Sequence, residues 1–333
     1  MDNNFPLSYD PDPEEQSSSE ENSFVFPPKP PADEPKSRAN ILIRSITSLA
    51  LYLIVGFYFF SQNWILLLVL TGVVIFHELG HFLAMKFYHY KDLGIFFIPL
   101  VGAYASGKKQ EVSQLQSAII LLSGPVPGIV LGIILYFLSP YITTDLPLNS
   151  IAWILIYLNL FNLLPVYPLD GGQLLNRLFL DNSRIIAKIF ILLSVAGLIW
   201  FALYGMREPF YPLLILPLFL LMRMAGDVQF DKLTKKIESE GVDLNTTYEE
   251  ISDENYWKIR NILIRHHTAF RNIPEAPPYE YSDKEEQIKA LMQNLLQRTL
   301  VQDLSIVAKI VILSVWVGCF IAPIVIGLSL RLF

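Results

Sequence analysis

The sequence predicts an all-α polytopic membrane protein of about seven transmembrane helices, with a small re-entrant or β-hairpin element near a polar site. Three observations carry that expectation. Hydrophobic residues make up 53% of the 333, and mean hydropathy is +0.41, above the roughly 45–50% apolar content of an ordinary soluble domain. Apolar runs long enough to cross about 30 Å of hydrocarbon recur along the chain. Lys and Arg gather at one set of connections and are missing from another, the asymmetry that marks cytoplasmic loops. The formal charge of -6 is concentrated in a few polar stretches, and no basic face suggests a nucleic-acid partner. Cys319 is the single cysteine, which excludes an intrachain disulfide and a cysteine metal site.

Residues 1–36 are rich in Pro, Ser, Asp and Glu and are expected to form a disordered acidic tail, since such a segment buries too little apolar surface to offset its ordering entropy. Residues 37–226 read as a membrane core of six spans. Lys36, Arg38 and Arg44 precede the first apolar run, Ile46 to Phe60, and place the N-terminus in the cytoplasm. After Ser61-Gln62-Asn63 the run from Trp64 to Met85 returns inward. Lys86, Lys91, Lys108 and Lys109 flank Leu93 to Gly107, an apolar stretch too short to span. Its Pro99, Gly102, Gly107 and alternating bulky residues predict a strand hairpin or re-entrant loop, an interfacial loop being the plainer alternative.

Val112 to Leu138 spans outward and contains Ser123-Gly124-Pro125-Val126-Pro127-Gly128, a sequence that frees backbone groups at membrane depth. The loop Ser139 to Ser150 has no Lys or Arg and lies outside; Ile151 to about Leu164 comes back in. Ile185 to Tyr204 and Pro209 to Leu221 complete the six. Residues 227–304 are charged and polar and predict one small helical cytoplasmic domain. Residues 305–333 hold a final span, Ile306 to Leu328.

The chemistry is carried by His77-Glu78-Leu79-Gly80-His81, set inside the second run. Residues four apart on a helix share a face, so His77 and His81 can converge on one cation, for which the expected metal is zinc. Glu78 is rotated away by about 100° and sits where a general base for metal-bound water belongs. Charged groups at the centre of a span cost roughly 2.5–3.5 kcal/mol each, so they persist there where they work or are paired. The fourth span, Ile151 to about Leu164, ends in Asn162-Leu163-Leu164-Pro165-Val166-Tyr167-Pro168-Leu169-Asp170-Gly171-Gly172. The two prolines stop the helix and hold Asp170 on a broken segment at the inferred depth of His81. As an oxygen ligand it would complete a site of three protein ligands, with His89 the first substitute.

With His77-Glu78-x-x-His81 and Asn162-x-x-Pro165-x-x-x-x-Asp170-Gly171 on membrane segments in that order, the region from Ile46 to Phe179 resembles the site-2 protease family of intramembrane zinc metalloproteases. The resemblance implies one Zn2+ per chain on His77, His81 and Asp170, Glu78 as base, and Asn162 holding substrate or the developing oxyanion. It also implies a transmembrane protein substrate in the lipid bilayer. Many relatives carry an Asn after a Gly-Pro in the third span, where this chain has Gly128. Prenyl-protein endoproteases also carry H-E-x-x-H in a membrane but use a glutamate as third ligand. A non-catalytic binding or chaperone module on the same fold is the alternative from another class; it would be marked by loss of Glu78 or a ligand. If Leu93 to Gly107 is a strand with a free edge, Val101, Gly102 and Ala103 are candidates for pairing with an unwound substrate.

Overall fold

The computed structural model of the chain describes residues 26–32, 37–59, 63–99, 102–109, 112–144, 146–180, 184–205, 208–296, 300–301 and 303–329. Among these, six helical segments are long and apolar enough to cross a membrane. They comprise α1 (Arg38–Phe59), α2 (Trp64–Phe87), the pair α3 (Gln114–Ser123) and α4 (Pro125–Leu138), α7 (Arg184–Tyr204), α8 (Ile215–Ser239) and α11 (Ile306–Ser329). The chain is an integral membrane protein. The expected seventh crossing is α5 (Leu148–Asn162), an apolar helix of 15 residues. Pro165 limits it, because the residue before a proline is driven out of the helical region.

Two boundaries differ from the sequence expectation. The span expected over Val112 to Leu138 is broken at Gly124, with Pro125 in the first turn of α4, where its missing N–H costs nothing. In the opposite sense, α8 continues through Asp227 to Ser239 without a break. No proline interrupts this stretch, and Leu233 and Ile237 carry its buried face into the polar domain.

The short apolar stretch is a hairpin, β1 (Lys91–Ile98) antiparallel to β2 (Gly102–Lys108), with Ile98 opposite Gly102, Phe97 opposite Ala103 and Ile95 opposite Ala105. The α1 helix covers β1: the Phe97 N–H donates to Ser48 Oγ at 3.1 Å, and the Tyr52 and Phe97 rings lie 5.7 Å apart. The following β3 (Val112–Ser113) pairs in parallel with β4 (Leu300–Val301), which precedes α11.

After α5 the chain turns through its two prolines into α6 (Asp170–Leu175), continued by a π-helical turn over Asn176–Leu180. Leu163, Leu174 and Leu178 from this segment pack with Ala118 and Leu122 of α3, Ile129 of α4 and Ile312 of α11. Trp316 of α11 donates its indole N–H to the Leu163 carbonyl at 2.9 Å. That carbonyl lies where α5 gives out, and an unpaired one at this depth would be costly.

The polar domain is built from the end of α8, α9 (Asp253–His266) and α10 (Glu285–Leu295) around Ile237, Tyr256, Trp257, Ile259, Leu263, Ile288 and Met292. Residues 1–25 and 33–36 of the acidic tail lie outside the described residues, whereas 26–32 pack on this domain.

Candidate metal centre

His77, Glu78 and His81 are buried on α2, and the Asp170 side chain, 13% exposed, meets them from the first turn of α6. His77 Nε2 and His81 Nε2 are 3.0 Å apart, and they lie 3.0 and 3.3 Å from Asp170 Oδ2. Among the described residues this is the group of His, Cys, Asp or Glu side chains that could hold a metal ion.

The far side of each ring decides what the near side can do. His77 Nδ1 faces Asn159 Oδ1 at 2.7 Å, while Asn159 Nδ2 donates to the Leu155 carbonyl at 2.7 Å, which fixes which way the amide points. His81 Nδ1 faces the Ile120 carbonyl at 2.7 Å. Both partners are acceptors, so in a neutral imidazole the proton sits on Nδ1 and Nε2 is a bare lone pair. Two such lone pairs and a carboxylate oxygen therefore point at one another, and Asp170 Oδ2 is buried without a hydrogen-bond partner. Three electron-pair donors converging on a point are mutually repulsive unless a cation sits among them. Donors at about 2.0–2.1 Å from a tetrahedral zinc lie roughly 3.3 Å from one another, so the donor set and its spacing fit that ion. The outer hydrogen bonds to Asn159 and Ile120 are of the kind that orient metal-binding histidines.

Close backbone approach makes this possible. A Cβ on Gly80 would run into the Ser123 carbonyl, so glycine lets α2 lie against the break between α3 and α4. A Cβ on Gly128 would overlap the Asn159 amide. The space beside Gly128 of α4 is thus filled from across the interface by the Asn159 side chain of α5.

Glu78 lies beside the three donors, and its carboxylate is within reach of the Ala105 backbone amide in β2. Gly102 and Ala103 begin the same strand, and Val101 lies outside the described residues. Asn162 is one turn beyond Asn159; its amide donates to Leu158 O at 3.3 Å. His89 is exposed, at a φ of 61° in the turn after α2, and does not join the group. Asn159 was legible in principle. Ala152, Leu155, Ile156 and Asn159 are the buried residues of α5, so a polar side chain occupies a position of the buried helical stripe.

The family model described as Peptidase family M50 matches residues 65–146 and 139–203. A zinc metalloprotease of Methanocaldococcus jannaschii is 30% identical over 154 residues, 42% of this chain and 44% of that protein. Stage IV sporulation protein FB of Bacillus subtilis is 27% identical over 114 residues, 34% of this chain and 40% of that protein. The chain therefore spans less than half the length of these curated relatives. The solved site-2 protease of Methanocaldococcus jannaschii aligns at 24% identity and a TM-score of 0.39, over 52% of this chain and 84% of that one. Both motifs lie inside the matched residues, and over that stretch the chain is similar to peptidase family M50 and to curated zinc metalloproteases.

Proposed function

We propose that this chain is an intramembrane zinc endopeptidase that hydrolyses a peptide bond within or near a transmembrane segment of a membrane-protein substrate. The observation that carries the reading is the convergence of His77 Nε2, His81 Nε2 and Asp170 Oδ2 beside the buried Glu78 carboxylate. Zinc held there would supply Lewis acidity, lowering the pKa of water towards about 7 and polarising a carbonyl. Glu78 takes the proton from the attacking water and returns it to the leaving amine. Asn159 keeps the His77 ring in the tautomer that leaves Nε2 free. Asn162 retains a role in holding substrate or the developing oxyanion.

A peptide bond in a membrane helix is already hydrogen-bonded and shielded, so the substrate must unwind before it is cut. The hairpin offers the unwound segment new partners. The outer edge of β1 is met by Ser48, and the β2 edge at Ala105 turns towards Glu78. In an antiparallel pair, residues two apart present their amides to the same edge, so Ala103 offers a further N–H for strand addition. By the basic residues flanking it, this side of the protein faces the cytoplasm.

Membrane fractions from cells expressing the chain or its Glu78→Gln variant, compared by peptide mass spectrometry, test the reading. New termini inside transmembrane segments should occur only with the unaltered chain. Identical termini in the two samples would overturn it.

A further inference from the structure

The segment Phe26-Pro27-Pro28-Lys29-Pro30-Pro31-Ala32 forms no helix or strand and lies along the polar domain more than 200 residues away in sequence. Its backbone is read almost completely. Trp257 donates its indole N–H to the Pro27 carbonyl at 2.9 Å, and the Tyr281 hydroxyl donates to that of Pro28. The Tyr248 hydroxyl donates to the Pro30 carbonyl at 2.9 Å, and Lys289 Nζ to that of Pro31 at 3.3 Å. Proline has no N–H, so Lys29 supplies the one backbone donor between 27 and 31. It is accepted by Asp253 Oδ1 at 2.8 Å.

The Lys29 side chain has a seat of its own. Nζ donates to the Glu249 carbonyl at 2.9 Å and to that of Ile251, and it lies 5.6 Å over the Tyr248 ring. Below the peptide, Trp257 stacks on Tyr281 with centroids 5.6 Å apart and meets Tyr279 edge-on at 5.2 Å. Rigid aromatic donors spaced along a run of proline carbonyls are how proline-rich, extended segments are recognised, because such a segment is already ordered before it binds. A merely solvated tail would need neither the donors nor the lysine seat.

We propose that the polar domain is a receptor for a proline-rich segment with a central lysine, and that its occupant is the chain's own residues 26–32, bound in cis. Since α1 begins at Arg38, the occupied site ties the start of the first span to the domain that follows α8. The proposal is independent of the catalytic reading and is tested without an activity assay.

The probe is a fluorescent synthetic peptide of residues 24–34, titrated by anisotropy against the detergent-solubilised chain. A chain lacking residues 1–36 should bind it saturably. The intact chain should bind at least tenfold more weakly, because its own segment competes at an effective concentration in the roughly millimolar range. Trp257→Ala in the shortened chain, or Lys29→Glu in the peptide, should each weaken binding at least tenfold. Should the shortened chain fail to fold, the intact chain with Pro27, Pro28, Pro30 and Pro31 all replaced by Ala is titrated instead, and it should gain the same tenfold over the unaltered chain. A peptide of scrambled sequence binding as well as the native one, or equal binding by open and intact chains, would overturn the proposal.

Discussion

Two buried polar constellations stand in this protein, and they are opposites. In the polar domain Arg260 is fully buried and Glu285 nearly so, yet every group between them is answered. Arg260 Nε donates to both carboxylate oxygens, at 2.9 and 3.1 Å, and the second nitrogen reaches Glu285 Oε2 and the Glu280 carbonyl at 3.0 Å each. Tyr256 and the Ser282 amide complete the carboxylate. In the membrane core the ring nitrogens facing Asp170 have their protons turned away, and Asp170 Oδ2 has no hydrogen-bond partner. Satisfied charge of the first kind holds a fold together. Unsatisfied lone pairs of the second kind are arranged for something the chain itself does not supply, and their chemistry names a cation.

The two constellations therefore fail differently when altered. The largest effect is expected from Glu78→Gln, which keeps shape and ligands but removes the base. Peptide hydrolysis should fall by about 10²–10⁴ with zinc retained, as measured by cleavage of an identified substrate alongside elemental analysis. Arg260→Met should act on stability instead. Leaving Glu285 buried without its partner should cost about 3–5 kcal/mol, read as a lower denaturant midpoint for the polar domain, while zinc stays bound to the core.

Next in size is Asn159→Ala. Freeing the His77 ring should weaken zinc binding by about 10–100-fold, measured by competition with a chelator. Asn162→Ala should leave that affinity unchanged. Equal losses for the two would place the orienting amide elsewhere.

The smallest effect sharpens the comparison from the other side. Burial alone would raise the Glu285 carboxyl, but hydrogen bonds from Arg260, Tyr256 and the Ser282 amide outweigh it and hold the pKa below the ordinary glutamate value. A carboxyl depressed in the folded state contributes stability in full above its unfolded value of about 4.3 and loses it as pH falls through the lower folded value. Unfolding of the polar domain, followed by Trp257 fluorescence in a chain with its other tryptophans replaced, should therefore become easier only below about pH 4.3. This acid step should shrink in Glu285→Gln, with the remainder carried by Glu275, whose carboxyl Arg265 likewise holds below the ordinary value.

The contrast also explains what could be read from sequence. His77, Glu78 and His81 were legible because their meeting is local, fixed by one helical turn inside an apolar run. Asp170 was legible because prolines announce a broken segment. Asn159 left a fainter signal, a polar residue on the helical stripe of Ala152, Leu155 and Ile156. Its tie to His77 was not legible, because it exists only once α2 and α4 pack against α5. The edge of α8 was obscured because composition changes at Asp227 while the backbone has no reason to stop. Composition reads Phe26 to Ala32 as part of a disordered tail, and that inference cannot see an aromatic surface assembled from residues 248–281. Local pattern reports spacing within one element; it is silent about which distant element arrives to meet it.

The central claim is that the three converging lone pairs exist for a metal ion, and zinc per chain in the purified protein tests it most directly. Inductively coupled plasma mass spectrometry should find about one zinc in the unaltered chain and in Arg260→Met, and a strongly reduced content in Asp170→Ala, as expected when one of three protein ligands is removed. Full zinc in Asp170→Ala would contradict the account.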